Sequence, residues 1–280
     1  MKILVTGVNG QLGYDVVKEL DKRGHQPIGV DKEEMDLTSK EQIKECIKII
    51  NPQAIIHCGA YTAVDKAEDE KDLCKRVNAI ATKEIAKNAK VLDIPMIYIS
   101  TDYVFDGTKD GEYTEKDIPN PINIYGKTKY EGELYVQKIL KKYYIVRISW
   151  VFGENGNNFI DTMLRLSKEK DSLNIINDQV GSPTYTKDLA RLLVDMIETD
   201  KYGVYHATNE GYCTWYEFAK EIFRISNIDI QVNKINTSKY HTQAKRPLNS
   251  KMSKEKLKNM KFIPLRSWKD ALNEYMINRK

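Results

Sequence analysis

The feature that most constrains this sequence is a glycine array between a short apolar run and a segment of helical periodicity. Residues 3–5 (Ile-Leu-Val) lead into Thr-Gly-Val-Asn-Gly-Gln-Leu-Gly, after which an amphipathic segment begins. In such a turn Gly7 makes a tight bend, Gly10 admits a ligand close to the backbone, and Gly13 lets helix and strand pack closely. The pattern is typical of a parallel sheet whose first loop presents a helix N-terminus to a phosphate group.

The first half of the chain repeats this alternation of buried strands and longer helical segments. The predicted strands lie at residues 3–5, 27–30, 54–58, 96–100 and 144–148. The predicted helices lie at residues 12–23, 40–50, 71–92 and 127–142. Because the crossovers between parallel strands are right-handed, we predict an α/β fold with a doubly wound parallel Rossmann sheet.

The second half has mostly helical patterns. The predicted elements are one irregular strand at residues 173–176 and helices at residues 159–169, 187–199, 215–225 and 268–277. The capping-box spacings of Ser39 with Gln42 and of Thr214 with Glu217 mark the starts of two helices. We predict a Rossmann domain over residues 1–150 and a smaller, mostly helical substrate-binding lobe over residues 151–280, with one or two of its strands extending the main sheet.

An acidic residue at the end of the second predicted strand makes the glycine array more specific. Asp31 lies about 20 residues beyond the array, where a carboxylate can bind the ribose of a dinucleotide. That carboxylate repels a 2′-phosphate and favours NADH, whereas Lys32 offsets the repulsion, so NADH and NADPH both stay open. Asp36 and Leu37 either flank the adenine or lie in a solvent-facing loop.

A Tyr-x-x-x-Lys pair and a strand end rich in hydroxyl groups indicate redox chemistry. Tyr125 and Lys129 are four residues apart, so a helix places them on one face. Tyrosine, with an ordinary pKa of about 10, is a sluggish proton donor to a carbonyl until a neighbouring ammonium lowers that pKa. Lys129 would supply this charge and hold the nicotinamide ribose. Thr101 would hydrogen-bond the substrate carbonyl, and Asp102 and Tyr103 either meet substrate hydroxyls or serve the scaffold.

Composition argues against several classes of partner. The chain has 44 Lys and Arg against 40 Asp and Glu, with the charge of +4 spread along it, so nucleic acid is not an expected partner. A signal peptide is not recognisable, and the apolar stretches are far shorter than the ~18 to 20 residues that cross a bilayer. The four cysteines form no C-x-x-C pair and the four histidines no metal-ligand spacing. We expect a cytoplasmic protein with reduced thiols and no membrane partner.

Longer motifs resemble the extended short-chain dehydrogenase/reductases, and within them the dTDP-4-dehydrorhamnose reductase family. They lie at residues 59–68, 100–107, 123–129, 147–152, 177–184, 214–219 and 246–250. Several long motifs in one order are far more specific than either short motif alone. The resemblance implies that NAD(P)H reduces the C4 keto group of dTDP-4-dehydro-L-rhamnose to give dTDP-L-rhamnose, in deoxysugar and cell-surface polysaccharide biosynthesis.

The same resemblance implies roles for individual residues. Tyr125 is the implied proton donor and Lys129 its partner. The implied cofactor contacts are Gly10, Gln11, Leu12, Asp31, Asp36, Leu37, Ala60, Tyr61 and Thr62. The implied sugar contacts are Thr101, Asp102 and Trp150.

Three of these implications have alternatives. Trp150 offers an aromatic face to the C–H face of a deoxysugar, or it is a core tryptophan. Arg246 either contacts the nucleotide diphosphate or forms a surface ion pair. Some relatives bind Mg²⁺ at a subunit contact, but no metal-ligand motif accompanies the resemblance here.

Other functions are compatible with parts of this sequence. An epimerase or dehydratase of the same superfamily would fit the cofactor site, but a dehydratase requires a glutamate where this chain has Tyr103 after Asp102. A non-catalytic regulatory subunit, like the β subunit of methionine adenosyltransferase, would keep the fold without turnover. Another 4-keto-6-deoxyhexose would meet nearly the same pocket. The sequence also leaves open whether the chain is a monomer or a homodimer.

Overall fold

The computed structural model describes residues 1–279, and its central element is a sheet of six parallel strands. The strands are β1 Lys2–Thr6, β2 Gln26–Val30, β3 Ala54–His57, β4 Met96–Thr101, β5 Tyr143–Ile148, β6 Val151–Phe152, β7 Ser172–Ile176, β8 Val180–Gly181, β9 Thr184–Tyr185, β10 Gly203–His206, β11 Cys213–Thr214 and β12 Gln231–Ile235. The helices are α1 Gln11–Lys22, α2 Lys40–Ile50, α3 Lys71–Lys75, α4 Thr82–Val91, α5 Ile124–Ile139, α6 Phe159–Glu169, α7 Thr186–Ile197, α8 Trp215–Ile225, α9 Glu255–Asn259 and α10 Trp268–Asn278. The predicted α/β class with a doubly wound sheet is confirmed.

The strand order places a reversal point beside the glycine turn. In the main sheet the order is β2-β1-β3-β4-β5-β10, so the chain crosses first to one side of β1 and then to the other. The last strand, β10, comes from the second half of the chain and pairs in parallel with β5. Ligands of open α/β sheets bind at the carboxyl ends of the strands where the crossing direction reverses. The fold therefore directs a ligand to the edge where β1 and β3 end.

Two apolar layers cover the two faces of this sheet. Ile3 and Val5 of β1 pack in one layer with α1 and α7. Leu4 points the other way and packs with α2, α4 and α5. All three side chains are fully buried. Because both faces are covered, the strands have the continuous apolar composition from which they were predicted.

One predicted helix contains a π-helical segment. Residues 71–91 are helical throughout, close to the predicted 71–92, but α3 and α4 are joined by an unpredicted π-helical segment, Arg76–Ala81. A π turn adds only one residue to a helical turn, so the apolar periodicity hardly records it. Within this segment Asn78 is buried, and it faces the loop that follows β3.

Hydrogen bonds from side chains decide where several helices begin. The Asn123 side chain accepts from the Gly126 amide at 2.7 Å, so α5 starts at Ile124 rather than at the predicted residue 127. The predicted box at Ser39 is only half formed, because the Gln42 side chain accepts from the Asp36 amide instead of reaching back to Ser39. The box that begins α8 is complete, as predicted.

The second half contains more strands than the single one predicted. β7 pairs with β12, while β6, β8, β9 and β11 have two residues each and pair with one another in short ladders. A strand of two residues has no periodicity to detect, so these pairings follow from tertiary contacts. They hold the segments after β5 against α6, α8 and α10 around a separate apolar cluster.

Two predictions drawn from composition concern membrane-spanning helices and free thiols. No helix within residues 1–279 is long and apolar enough to cross a membrane. All four cysteines are free thiols, and Cys74 and Cys213 are buried.

The complete capping box at the start of α8 gives a stability prediction. Thr214 accepts from the Glu217 amide at 3.1 Å, and the Glu217 carboxylate accepts from the Thr214 amide at 2.8 Å. We expect Thr214→Ala to lower the free energy of unfolding by about 1 kcal/mol, because the first turn of the helix loses a bonded amide. Urea denaturation measures the change. Thr214→Ser keeps the hydroxyl and should stay near the native value; an equal loss in both variants would contradict the capping account.

Candidate active site

A single cleft of about 940 Å³ lies at the carboxyl edge of the sheet. Segments that follow β1, β2, β3, β4 and β5 line it, together with the start of α5 and parts of α6 and α8. All the predicted site residues except Arg246 border this cleft. They are Gly7, Gly10, Gln11, Leu12, Gly13, Asp31, Asp36, Leu37, Ala60, Tyr61, Thr62, Thr101, Asp102, Tyr103, Tyr125, Lys129 and Trp150.

The glycine turn brings the backbone of β1 close to α1 and β3. Gly7 has a φ of +70°, and a Cβ there would lie 2.7 Å from Gly59 of the neighbouring loop. A Cβ on Gly13 would collide with the Gly7 carbonyl oxygen. Gly10 caps α1 without any side-chain hydrogen bond, so the first amides of the helix face the cleft. Amides and a positive dipole end in this position suit the pyrophosphate of a dinucleotide.

The acidic residue after β2 is held against this turn. One Asp31 carboxyl oxygen accepts from the Asn9 amide at 2.9 Å, and the other accepts from the Lys32 amide at 2.8 Å. Asp36 folds back in the same way and accepts from the Thr38 amide at 2.8 Å. That bond is the main reason why the pKa of Asp36 is lowered. Both carboxylates are thereby held in place by backbone amides.

Asn78 is a functional candidate that the sequence did not reveal. Its amide oxygen accepts from the Tyr61 amide at 2.8 Å, and its amide nitrogen donates to the Tyr61 carbonyl at 3.1 Å. These two bonds fix the segment containing Ala60, Tyr61 and Thr62 along the floor of the cleft. The signal was an isolated asparagine in an apolar helical segment, which in the helix interior is neutral to unfavourable.

Thr101 at the end of β4 and Tyr125 at the start of α5 line the same cleft, and the Thr101 hydroxyl is close enough to affect the pKa of Tyr125. A Cβ on Gly126 would collide with the Tyr103 carbonyl oxygen, so only glycine lets α5 approach this closely. The rings of Tyr103 and Tyr125 pack edge to face with centroids 5.7 Å apart. The Thr101 hydroxyl donates to Asp102 at 2.9 Å and accepts from the Tyr103 amide at 3.2 Å.

Burial controls the charge states of the Tyr-x-x-x-Lys pair. It raises the pKa of Tyr125, and the neighbouring Thr101 hydroxyl opposes this only in part. Burial also lowers the pKa of Lys129 to about 7, against the attraction of the Glu133 carboxylate. Lys129 is not among the groups that shift the pKa of Tyr125 in this structure, so the expectation that it lowers that pKa stays a prediction. Tyr125 keeps its proton, as a donor must.

Asp102 has an unusual environment for a carboxylate. One oxygen accepts from the Thr101 hydroxyl, and the other is buried without a hydrogen-bond partner in the part of the chain that the structure describes. Burial raises the pKa of Asp102 to about 6. An unpaired carboxyl oxygen beside the Tyr125 hydroxyl suits a ligand hydroxyl group.

Trp150 lies in the cleft, and it is stacked on a second tryptophan that the sequence did not single out as a site residue. The two indole rings of Trp150 and Trp215 are 3.7 Å apart at 14°. Trp150 has a positive φ of 49°, and a Cβ on Gly181 would lie 2.8 Å from its ring. The Trp215 ring nitrogen donates to Gln179 at 3.2 Å. The stacked rings of Trp150 and Trp215 therefore form an aromatic wall of the cleft.

Arg246 lies apart from the cleft lining. Its guanidinium donates two hydrogen bonds to Asp65, at 3.1 and 2.7 Å, so it forms an ion pair in this structure. Gln243 makes a similar bond to Asp69 at 2.6 Å. The segment that contains Gln243 and Arg246 is thus tied to the loop after β3.

Across residues 1–279, no group of three or more His, Cys, Asp or Glu side chains is placed to hold a metal ion. These residues therefore offer no ligand cluster for the Mg²⁺ implied by the resemblance.

A Rossmann sheet whose glycine turn and Tyr-x-x-x-Lys helix open onto one cleft is the arrangement of the extended short-chain dehydrogenase/reductases. A family model described as the RmlD substrate binding domain matches residues 1–280, and the chain belongs to that family.

Three relatives illustrate the similarity. The chain is 40% identical to a dTDP-4-dehydrorhamnose reductase of Aggregatibacter actinomycetemcomitans over 97% of each chain. A crystal structure of a dTDP-4-dehydrorhamnose reductase from Clostridium acetobutylicum is 42% identical, with a TM-score of 0.97 over 99% of each chain. The Bacillus anthracis reductase, solved in complex with NADP, is 41% identical, with a TM-score of 0.96 over 99% of this chain and 98% of that one. The resemblance stated from the motifs is confirmed.

The lowered pKa of Lys129 gives a prediction about stability and pH. Its pKa falls from 10.5 to about 7 in the folded chain, so folding disfavours the ammonium form. This penalty is complete below about pH 7, shrinks as the pH rises, and vanishes above the unfolded pKa of about 10.4. We expect Lys129→Met to raise the free energy of unfolding more at about pH 6 than at about pH 9.

Urea denaturation at both pH values measures the effect. Lys127→Met removes an exposed lysine from the same helix and should change stability little at either pH. An increment for Lys129→Met that is the same at both pH values would contradict the burial account.

Proposed function

We propose that this chain reduces the C4 keto group of dTDP-4-dehydro-L-rhamnose with NADPH or NADH and releases dTDP-L-rhamnose. The observation that carries the proposal is the meeting of the Thr101 and Tyr125 hydroxyls in the cleft that the glycine turn borders. Relatives at 33 to 40% identity over nearly the whole chain are named as this reductase.

The cofactor would lie across the reversal point of the sheet. The glycine turn and the first amides of α1 would hold the pyrophosphate through Gly7, Gly10, Gln11, Leu12 and Gly13. Adenosine would lie against Asp31, Asp36 and Leu37, and the nicotinamide half would follow Ala60, Tyr61 and Thr62 toward Lys129. The residues present suit this group, because α1 offers uncapped amides and β2 ends in a fixed carboxylate. When bound, the cofactor supplies a hydride to the sugar carbon.

The residues of this chain handle the oxygen of the keto group. Tyr125 donates its proton to the C4 oxygen, and burial keeps that proton in place until the sugar arrives. The Thr101 hydroxyl turns from Asp102 to the same oxygen and stabilises its developing negative charge. Lys129, buried beside the Tyr98 ring at 4.2 Å, holds the nicotinamide ribose.

The sugar would occupy the part of the cleft between these hydroxyls and the aromatic wall. Asp102 borders this space and would accept a hydrogen bond from a sugar hydroxyl. Tyr103 borders the same space, and the Trp150 ring offers an apolar surface to the deoxygenated face of the sugar. Arg246 would reach the nucleotide diphosphate only by leaving Asp65. Segments after residue 150 would thus complete the substrate side of the cleft together with Asp102 and Tyr103.

The contacts of Asp31 and Lys32 support use of both NADH and NADPH. Both Asp31 oxygens already accept from backbone amides, so less of their negative charge is available to repel a 2′-phosphate. Lys32 is exposed beside them and can pair with that phosphate. The Bacillus anthracis relative was solved in complex with NADP.

A chain with free thiols and no membrane-spanning helix within residues 1–279 would act in the cytoplasm.

Turnover of the keto sugar tests the proposal directly. We expect the purified chain to oxidise NADPH or NADH in the presence of dTDP-4-dehydro-L-rhamnose, and Tyr125→Phe to lower kcat about 10² to 10⁴-fold, the usual contribution of a proton donor. Absorbance of the reduced cofactor measures both. Tyr135→Phe removes a hydroxyl that bonds Glu131 elsewhere on α5, so it should keep native activity.

The results of this experiment distinguish between substrates, between catalysis and regulation, and between proton donors. Cofactor binding without oxidation by this sugar, but with oxidation by another 4-keto-6-deoxyhexose, would reassign the substrate. Binding without turnover of any keto sugar would favour the regulatory function. Native activity in Tyr125→Phe would exclude Tyr125 as the proton donor.

Cofactor preference gives a separate prediction. We expect Lys32→Ala to lower kcat/KM with NADPH about fivefold, the effect of about 1 kcal/mol from one exposed phosphate contact, and to leave NADH unaffected. Steady-state kinetics with each cofactor measure the ratio. Lys44→Ala removes an exposed charge from α2 and should leave the ratio unchanged. An equal loss with both cofactors would show that Lys32 does not meet the 2′-phosphate.

A further inference from the structure

We propose that the buried carboxylate of Glu133 is a positioning residue, which fixes the strand ending in Thr101 relative to the helix that carries Tyr125 and Lys129. This inference rests on the proposed function, because the positions of Thr101, Tyr125 and Lys129 affect the rate only if these residues carry out the reaction. Glu133 has no exposed surface and is absent from the cleft lining. Its effect must therefore pass through the residues that it contacts.

Glu133 accepts three hydrogen bonds from two strands. The Ser100 hydroxyl of β4 donates to it at 2.5 Å. Arg147 of β5 donates through Nε at 2.9 Å and through Nη2 at 2.7 Å. Ser100 and Arg147 are partners in the register of β4 and β5, so both donors converge from adjacent positions of the sheet. One carboxylate thus joins α5 to two strands at a single level.

The sequence positions of these residues connect the contact to the catalytic group. Ser100 immediately precedes Thr101 on β4. Tyr125, Lys129 and Glu133 follow at intervals of four, so they share one face of α5. A shift of Glu133 against Ser100 would therefore move the Tyr125 and Thr101 hydroxyls relative to one another. Misplacement of reacting groups by about 1 Å can cost about 10²-fold in rate.

The charge of Glu133 also acts on Lys129. Burial lowers the pKa of Lys129, and the Glu133 carboxylate is the strongest opposing influence. The other groups that face this ammonium are the Tyr98 ring of β4, the neutral His57 of β3 and the thiols of Cys58 and Cys74. Among the groups around Lys129, the Glu133 carboxylate does most to raise the pKa of the ammonium. Removing it should therefore leave Lys129 less charged.

Arg147 completes the buried pair and separates it from solvent. Its guanidinium is 3% exposed and lies 5.1 Å from the Phe105 ring. A further nitrogen lies 3.4 Å from His206 of β10. Burial strongly lowers the pKa of His206, so this neighbour is neutral and leaves the arginine charge to Glu133. Removing one partner of a buried ion pair lowers the stability of the fold far more than removing one partner of a surface ion pair.

The first experiment separates charge from position. Glu133→Gln keeps the shape but loses the charge, and we expect kcat to fall at least about tenfold with a KM for the keto sugar within about twofold of native. The Lys129 ammonium holds the nicotinamide ribose, so its deprotonation sets the alkaline limb of the pH profile. That limb should move to lower pH in Glu133→Gln, because Lys129 loses its proton more readily without the carboxylate. Glu133→Asp keeps the charge but shortens the side chain, so kcat should fall while that limb stays in place.

Two further variants keep the test decisive if Glu133→Gln folds poorly. Ser100→Ala retains the ion pair and removes only the bond to β4, and we expect a lower kcat with an unchanged alkaline limb. Glu131→Gln removes a partly exposed carboxylate of α5 that pairs with Lys75, and it should match the native chain. Thermal unfolding of each variant measures the folded fraction, so that kcat can be referred to folded protein.

A readout without substrate distinguishes this inference from the proposed function. Nuclear magnetic resonance of chain with isotopically labelled lysine gives the pKa of Lys129 directly, and we expect a lower value in Glu133→Gln than in the native chain. If the native chain does not reduce the keto sugar, the proposed function fails while this titration still decides the inference. Native kcat in folded Ser100→Ala and Glu133→Asp, or an unchanged Lys129 pKa in Glu133→Gln, would overturn it.

Discussion

Parallel pairing of β1 to β5 is the constraint on which the rest of the structure depends. Because of this pairing, the carboxyl ends of five strands, from Thr6 of β1 to Ile148 of β5, lie at one edge of the sheet. Segments that are distant in sequence therefore border a single cleft. The close approach of Gly7 to Gly59 and of Gly13 to Gly7 sets the spacing on the cofactor side. On the substrate side, Gly126 does the same for α5 and Tyr103.

Burial then determines the chemistry at this edge. It raises the pKa of Tyr125 and of Asp102, and it lowers the pKa of Lys129. Each shift favours the uncharged form, as expected for a site withdrawn from water. The buried Glu133 carboxylate opposes this trend at Lys129. The charge state of the site is thus a balance between desolvation and one carboxylate that does not border the cleft.

The sequence predicted the elements whose signals are local. The glycine turn, the strand ending before Asp31 and the Tyr-x-x-x-Lys spacing each depend on neighbours within one segment. The fold class, the main strands and the grouping of Tyr125 with Thr101 at one edge followed from them. The start of α8 was also predicted correctly, because its capping box lies wholly within four residues.

What escaped prediction depends on contacts between distant segments. The π-helical turn exists where Asn78 meets Tyr61, and nothing in the apolar pattern marks it. Trp215 joins the cleft because short strands bring it onto Trp150. The direction of the Tyr125 pKa shift depends on burial, which the spacing of two residues cannot report. For the same reason, the sequence did not distinguish the buried Glu133 from an exposed helix glutamate.

The central claim is that one cleft brings a nicotinamide cofactor and the C4 keto group together. The most direct test uses NADPH with deuterium at the transferable position of its nicotinamide ring, incubated with dTDP-4-dehydro-L-rhamnose and the purified chain. We expect nuclear magnetic resonance of the product to find the deuterium at C4 of a dTDP-L-rhamnose sugar. Product with deuterium at another carbon, or no labelled sugar at all, would contradict it.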